Sequence, residues 1–238
     1  MEVYNLYCLS VKKVKKFNNI AIIEFDREIR GYPGQFIMLN VFGFEEIPLS
    51  LSSPKTITVK NVGKTTNRVV NTKEGDVFGI RGPFGRPFSY PDVEKIYLIA
   101  GGIGIAPLNY LYEYFKDEIE VIAIHGVKTK EELIYDYPEV ATEDGSVGFR
   151  GNAVELFLKL ADFKEEFRVY SCGPKPMLLS LYKIMKKLGK LESLEVSLEN
   201  YMRCGIGLCG SCVTESGARV CRDGPTFKGT DVSEKDFI

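Results

Sequence analysis

The sequence predicts a multi-domain β + α/β chain: an antiparallel barrel or sandwich, then an α/β domain with a parallel sheet, then a small cysteine-rich module. Three observations predict this. Short strands separated by glycine and proline turns run to about residue 90, strands alternate with helices from Glu94, and glycine and cysteine become dense after Leu191. The expected domain boundaries are 1–92, 93–191 and 192–238.

Composition and charge set the limits of this interpretation. The chain has 238 residues, 45% of them hydrophobic, which is enough for two modest cores and a tail. Lys and Arg total 31 against 32 Asp and Glu, so the net charge of −1 provides no field to attract nucleic acid or an anionic membrane surface. We expect neither as a partner.

No targeting or membrane-spanning segment is apparent in the sequence. The longest apolar stretch, from Ile96 to Phe115, is interrupted by three glycines and Pro107, which fits a strand-turn-helix better than a bilayer span. The N-terminal segment has no apolar core followed by a small-residue cleavage site. A cytoplasmic protein is therefore expected.

The N-terminal domain is predicted to be built of strands. The segments that read as strands are VYNLYCLSV, IAIIEFD, GQFIMLNV, TITVKNV and a last run ending VFGIRGPFG. Glycines and one proline separate them, at Gly31, Pro33, Gly63, Gly75 and Gly82. Such short, regularly interrupted strands are typical of a small antiparallel barrel or sandwich.

The second domain alternates strands with helices. The predicted strands are KIYLIAG, EVIAIHG and FRVYSCG, and the predicted helices are PLNYLYEYFKD, AVELFLKLAD and KPMLLSLYKIMKKLG. Strands joined by helices pair in parallel through right-handed crossovers. The helices should therefore cover both faces of one sheet.

A glycine-rich turn joins the first of these strands to its helix. Gly101, Gly102 and Gly104 allow backbone to approach a ligand, and Pro107 suits the first turn of the helix. The N–H groups at the start of a helix favour a pyrophosphate, so a dinucleotide is the natural ligand. The run is not a strict Gly-x-Gly-x-x-Gly, and simple turn geometry remains the alternative.

Cys172, Gly173 and Pro174 repeat this arrangement at a later strand end. Ligands of open parallel sheets collect outside the carboxyl ends of the strands, so the two turns are expected to face one crevice. Cys172 is equally explained as a small buried hydrophobic residue.

Four of the six cysteines lie close together near the C-terminus. Cys204, Cys209, Cys212 and Cys221 have the C-x4-C-x2-C…C spacing of plant-type [2Fe-2S] proteins. The intervening glycines allow a tight loop that directs N–H groups at sulfur. A structural zinc site is the alternative, although zinc sites usually use two CxxC pairs and only one is present here.

Taken in order, these motifs resemble the electron-transfer subunit of class 1B dihydroorotate dehydrogenase, a branch of the ferredoxin-NADP reductase superfamily. The resemblance covers nearly the whole chain and implies a flavin-binding barrel, a nicotinamide-binding α/β domain and a C-terminal [2Fe-2S] module. It also implies that residues 101–107 hold the NAD pyrophosphate and that residues 172–174 lie near the nicotinamide. Lone His125 is interpreted as structural, and no residue is assigned acid-base catalysis.

The flavin segments of the family fall on residues of the predicted barrel. Arg-Pro-x-Ser aligns with Ile47, Pro48, Leu49 and Ser50, so the arginine is absent. Gly-x-Gly-Thr aligns with residues 63–66. The flavin-binding residues implied there and at the family's Gly-Pro-x-Gly segment are Gly63, Thr65, Thr66, Gly82 and Pro83. As a hypothesis, Lys64 or Arg68 supplies the charge that the missing arginine would give the flavin pyrophosphate.

The implied cofactors are a [2Fe-2S] cluster, FAD and NAD(H), and the implied partner is an FMN-containing catalytic subunit that oxidises dihydroorotate, in a heterotetramer serving pyrimidine biosynthesis. NADH is favoured over NADPH by the family, although Lys128 and Lys130 lie where a 2′-phosphate would bind. Related subunits serve NADH-dependent ferredoxin:NADP oxidoreductase and sulfide dehydrogenase complexes, which gives a second hypothesis. A zinc-binding, non-enzymatic scaffold is the third.

Overall fold

The computed structural model of the protein describes residues 6–237. The first predicted strand, VYNLYCLSV, begins before this range, and that part of the prediction lies outside the described residues. The structure has two sheets, one closed into a barrel and one open. The predicted fold class is thereby confirmed.

Six antiparallel strands form the barrel. They are Leu6–Phe17 (β1), Ile20–Phe25 (β2), Phe36–Asn40 (β3), Ile47–Ser53 (β4), Thr56–Lys60 (β5) and Val77–Phe84 (β6), and a short helix covers Lys64–Val70 (α1). The order around the barrel is β1-β2-β5-β4-β3-β6. Alternating side chains such as Ile23, Ile37 and Ile57 are fully buried and fill the barrel interior.

Seven strands form the open sheet. They are Lys95–Gly101 (β7), Glu120–Val127 (β8), Glu139–Thr142 (β9), Phe149–Arg150 (β10), Arg168–Cys172 (β11), Leu194–Ser197 (β12) and Thr226–Lys228 (β13). The helices are Ile105–Phe115 (α2), Ala153–Leu160 (α3), Lys175–Lys187 (α4) and Val220–Asp223 (α5). The sheet order is β10-β9-β8-β7-β11-β12-β13, with only β13 antiparallel to its neighbour.

The chain changes direction across this sheet between β7 and β11. After β7 it continues outward through β8, β9 and β10, and it then returns to place β11 on the other side of β7. Such a switch point opens a crevice at the carboxyl ends of the two strands, which is where ligands of open α/β sheets bind. Both predicted glycine turns lie there, one after β7 and one after β11.

Hydrogen bonds join helix α2 to the barrel. Asn109 donates its Nδ2–H to the Ser52 carbonyl over 3.0 Å, and the Tyr110 hydroxyl donates to the Gly31 carbonyl over 2.7 Å. Because α2 begins at the glycine turn, these contacts fix that turn against strand β4. These hydrogen bonds therefore hold the α/β domain against the barrel.

Some elements were not predicted. Strand β4 and helix α1 lie where the sequence analysis placed only ligand-binding segments, and the last two sheet strands lie within the segment predicted as the cysteine module. Leu194–Ser197 is a four-residue, fully buried strand, which is too short to show a periodicity. Thr226–Lys228 is a three-residue strand that pairs with Leu194–Ser197.

Within the described residues, no helix is both long enough and apolar enough to cross a bilayer.

Candidate functional site

Residues 204–221, here called the cysteine loop, carry all four predicted cluster ligands. Gly205, Gly207 and Gly210 have φ values of +72°, +79° and +75°, which glycine adopts far more readily than other residues. A Thr214–Ala218 backbone turn then returns the chain to the short helix that holds Cys221. Left-handed glycines thus close the loop in the way that its sequence predicts.

The four thiols lie as two pairs. Cys204 and Cys209 are in side-chain contact, and Cys212 and Cys221 are in contact likewise. The two pairs are close to each other, because the charge of Cys204 also acts on Cys221. Two pairs of thiolates are what the two irons of a [2Fe-2S] cluster require, whereas zinc requires one tetrahedral group. The donor set therefore fits the binuclear cluster.

Backbone N–H groups are directed at the sulfurs. Gly207 N–H donates to Cys221 Sγ over 3.1 Å, Leu208 N–H to Cys204 Sγ over 3.3 Å, and Cys221 N–H to Cys212 Sγ over 3.4 Å. Such bonds stabilise thiolates and tune a cluster's reduction potential.

The two pairs differ in their surroundings. The Ser211 side chain and backbone hold the pKa of exposed Cys209 down at about 6, whereas burial raises the pKa of Cys221 to about 12. One edge of the loop therefore faces solvent and the other packs on the protein. All six cysteines are free thiols.

A cavity of about 300 Å³ lies between the barrel and the α/β domain, and we call it the interdomain cavity. Its size and apolar walls are those of a small-molecule site. Its lining residues include Phe36, residues 47–50 of β4, residues 58–60 of β5, Val62, Thr66, Ile103, Ala106, Pro107, residues 197–200 and Met202.

Several predicted flavin residues line this cavity. Pro48, Leu49 and Ser50 are part of its wall, as is Thr66. The Thr66 hydroxyl also accepts the Gly63 N–H over 2.9 Å and so fixes the start of helix α1. Residues 48–50 and Thr66, which belong to two different predicted flavin segments, thus line the same cavity.

The other predicted flavin residues lie elsewhere. Gly63 and Thr65 precede Thr66 by three residues and one residue, but neither lines the interdomain cavity, and Gly82 and Pro83 do not line it either. Gly82 packs against the Phe36 carbonyl, and Pro83 lies against Gly31. The assignment of these four residues to FAD remains a prediction.

A lysine that was not predicted from the sequence lines the cavity. Arg68 is engaged with Asp76 over 3.1 Å, and Lys64 is exposed and does not line the cavity. Lys60, at the end of β5, lines both the interdomain cavity and a second cavity beside the glycine turn. Lys60 is therefore a cation that the two cavities share.

The two glycine turns pack directly on each other. A Cβ on Gly104 would lie 2.2 Å from the Cys172 carbonyl oxygen, and one on Gly101 would lie 2.7 Å from Pro174. A Cβ on Gly173 would lie 2.9 Å from the Gly101 nitrogen. Only glycine, which has no side chain, allows this approach at these three positions, so the two turns are in direct contact.

The second cavity, here called the nucleotide cavity, has a volume of about 210 Å³. Gly101, Gly102 and Pro174 line it beside Lys60, whereas Pro107 lines the interdomain cavity. Lys128, Glu132, Glu143 and Asn152 also line it, so carboxylates that can accept hydrogen bonds from ribose hydroxyls are present beside the predicted lysine. Such a mixed wall fits a dinucleotide.

Glu199 is a site residue that sequence reasoning missed. Its side chain lines the interdomain cavity and remains accessible from it, yet the surrounding protein raises the pKa of the carboxyl group through desolvation. Burial, and then the nearby charge of Glu199, raises the pKa of the Cys172 thiol. A carboxylate two residues after a buried strand, at this edge of the sheet, was the signal available in the sequence.

His125 lies beneath the glycine turn at the end of β8. It is fully buried, and its Nε2 is 3.0 Å from the Gly102 carbonyl oxygen. Its Nδ1 is buried without a hydrogen-bond partner, and burial lowers the pKa of the imidazole to about 4. A neutral His125 with the proton on Nε2 supports the turn, as the structural interpretation expects.

Comparison with known proteins places these features in a family. Residues 199–233 match the family model described as the iron-sulfur cluster binding domain of dihydroorotate dehydrogenase B. The probable dihydroorotate dehydrogenase B (NAD(+)) electron transfer subunit of Archaeoglobus fulgidus is 44% identical over 95% of this chain and 99% of its own length. The protein of the same name from Methanocaldococcus jannaschii is 38% identical over 93% and 89%.

Solved structures share the fold. The NADH-dependent reduced ferredoxin-NADP oxidoreductase structure superposes with a TM-score of 0.82 at 27% identity, covering 96% of this chain and 91% of that one. Phthalate dioxygenase reductase superposes with a TM-score of 0.62 at 16% identity, covering 94% and 76%, and shows the shared fold alone.

Barrel, open sheet and cysteine loop together define an NAD-linked iron-sulfur flavoprotein oxidoreductase subunit, whose cofactors are a [2Fe-2S] cluster, FAD and NAD(H). Within that class, the chain belongs to the family of dihydroorotate dehydrogenase B electron transfer subunits, which confirms the resemblance found in the sequence. Membership of this family implies a catalytic partner subunit.

Proposed function

We propose that this chain carries electrons between an FMN-containing dihydroorotate dehydrogenase subunit and NAD, in a heterotetramer that serves pyrimidine biosynthesis. One observation carries the proposal. Residues 197–200 and Met202 line the interdomain cavity, and the first cluster ligand, Cys204, follows only two residues later. A flavin in the cavity and a cluster in the cysteine loop would therefore be neighbours.

Each group of site residues would bind a different cofactor. When bound, FAD exchanges a hydride with nicotinamide and single electrons with the cluster. Residues 48–50 and Thr66 would hold the flavin, Lys60 would neutralise its pyrophosphate, and the paired glycine turns would hold the nucleotide. The four cysteines would bind the iron. Because the chain supplies position and electrostatics, no residue is required as an acid-base catalyst.

The domain limits follow the same division. Residues 1–92 would form the flavin-binding domain, 93–191 the nucleotide-binding domain and 192–238 the cluster module, with β12 and β13 of the last segment joining the nucleotide domain's sheet.

Reconstitution tests the whole proposal. The anaerobically purified chain should be red-brown, release FAD on denaturation and, mixed with a dihydroorotate-oxidising subunit, form NADH from dihydroorotate. A colourless protein, or a mixture that forms no NADH, contradicts it.

The likeness to the NADH-dependent ferredoxin-NADP oxidoreductase supports a second candidate, in which the partner exchanges electrons with ferredoxin and NADP. The same purified chain separates the two candidates. Co-purification with a subunit that oxidises dihydroorotate supports the first, and co-purification with one that reduces NADP from ferredoxin supports the second.

A further inference from the structure

Arg81 joins the flavin barrel to the cysteine loop. It lies on β6, and its Nη1 and Nη2 each donate to the Cys204 carbonyl over 3.2 Å. Its Nε donates to Glu46 Oε1 over 2.9 Å, and Nη2 donates to the other Glu46 oxygen. The guanidinium also stacks over the Phe84 ring, 5.6 Å from its centre. All of these Arg81 contacts therefore lie at the junction between the barrel and the cysteine loop.

The ion pair is shielded from solvent. The side chains of Arg81 and Glu46 are only 26% and 20% exposed. A bidentate Arg–carboxylate pair in such surroundings has a fixed geometry, and its charges are screened less than those of surface pairs. Arg81 is also close enough to Cys204 to interact electrostatically with its sulfur. The charge balance at this junction therefore acts on the first cluster ligand.

The cysteine loop rests on the barrel at the same point. A Cβ on Gly205 would lie 2.8 Å from Met38 Cγ, so the loop backbone packs directly on strand β3. Glu46 immediately precedes strand β4, whose residues 47–50 line the interdomain cavity. One set of contacts therefore links the wall of the flavin site to the cluster loop.

We propose that Arg81 and Glu46 form a charge-balanced link that positions Cys204 and contributes to the reduction potential of the cluster. The inference rests on the proposed [2Fe-2S] site and deepens it. Reduction adds a negative charge to the cluster, and potentials of such clusters depend on nearby net charge and hydrogen bonding. Arg81 favours the reduced form, and Glu46 offsets that effect.

The test is an EPR-monitored redox titration of the purified, cluster-loaded full chain. Glu46→Gln leaves Arg81 uncompensated, so the midpoint potential should move to a more positive value. Arg81→Gln leaves Glu46 uncompensated, so the potential should move to a more negative value. The double variant restores the net charge and should return toward the parent. If Glu46→Gln leaves the potential unchanged, the proposal is overturned.

A similar arrangement elsewhere in the chain provides the control. Arg168 pairs with Asp92 over 2.8 Å and also donates to a backbone carbonyl, that of Glu192. It lies at the start of β11, on the α/β domain rather than at the cysteine loop. Asp92→Asn should leave the midpoint potential unchanged, and a shift equal to that of Glu46→Gln would show a nonspecific charge effect and overturn the proposal.

Iron content separates the remaining outcomes. If Arg81→Gln loses the cluster, Arg81→Lys replaces it, because lysine keeps the positive charge without the bidentate guanidinium geometry. Arg81→Lys should retain iron and shift the midpoint potential less than Glu46→Gln does. If the parent chain binds no iron, the proposed cluster site is wrong. If the chain binds the cluster and Glu46→Gln leaves the midpoint potential unchanged, only the proposed role of Arg81 and Glu46 is wrong.

Discussion

The cysteine loop and the interdomain cavity are assembled in opposite ways. The loop takes all four ligands from one stretch of 18 residues, and its own glycines and N–H groups shape it. The cavity takes its walls from several distant segments, including β4, β5, the start of α2 and the residues after β12. The first site is encoded locally, whereas the second exists only once two domains have docked.

This difference predicts how each site tolerates change. A local site fails when one ligand is lost, because no other segment replaces it. A site built from distant segments loses binding gradually, because each wall contributes a part. Loss of a cluster ligand should therefore have a larger effect than loss of one residue of the cavity wall.

Cys209→Ser should abolish the cluster. Each iron of the proposed cluster needs two thiolates, and Cys209 is one of the Cys204 pair. Iron content and the EPR signal should fall to background, and electron exchange with the partner should stop, while NADH-to-dye activity at the flavin persists. Cys8→Ser, which changes an exposed cysteine outside the loop, is the matched control. Loss of the dye activity as well would show that the cluster also maintains the fold.

Burial of His125 beneath the glycine turn should make the free energy of unfolding depend on pH. Burial lowers the pKa of its imidazole from 6.5 to about 4, so the unfolded chain takes up a proton first as pH falls. The stabilisation is therefore complete above pH 6.5 and is lost between there and about pH 4, by up to about 3 kcal/mol.

The measurement is denaturant unfolding of the parent and of His125→Gln, whose side-chain amide can still donate to Gly102. The parent should lose more free energy of unfolding than the variant between pH 6.5 and 4.5. His125 is the single histidine of the chain, so the difference between the two curves isolates it. Parallel curves would contradict the prediction.

The sequence predicted the local site and only part of the distributed one. Cysteine spacing and left-handed glycines are properties of neighbouring residues, so residues 204–221 were recognisable without the fold. Glu199 and Lys60 acquire their roles from the domain interface, which no local pattern encodes. The same reason explains β12 and β13, because a four-residue strand is defined by the neighbours it pairs with.

Lys60→Met should weaken FAD binding without removing it. Lys60 lines both cavities, and loss of a charged hydrogen-bond partner costs about 1.5–3 kcal/mol, which corresponds to about a 10- to 150-fold higher Kd. Methionine keeps the apolar stem and removes the charge. Fluorescence titration of the flavin-free protein measures the effect, and Lys64→Met, at an exposed position outside both cavities, is the control. An equal loss in both variants would restore the hypothesis that Lys64 supplies the charge.

Leu208→Asp tests whether the exposed edge of the cysteine loop meets the partner. Leu208 is 78% exposed although it is next to a cluster ligand, and Tyr201 nearby in the chain is 63% exposed. Apolar side chains left exposed beside an electron-transfer site are typical of a surface that a partner covers. Loss of one such contact costs about 1–2 kcal/mol, or about tenfold in affinity for the catalytic subunit.

Titration of the catalytic subunit against the variant, followed by NADH formation from dihydroorotate, measures this affinity. Iron content and NADH-to-dye activity should be unchanged, since the Leu208 backbone N–H that donates to Cys204 is retained. Leu188→Asp, at an exposed leucine after helix α4, is the matched control. If Leu208→Asp binds the partner as the parent does, the cluster must meet its partner through another face, and the locally encoded site would then not be the point of exchange between the subunits.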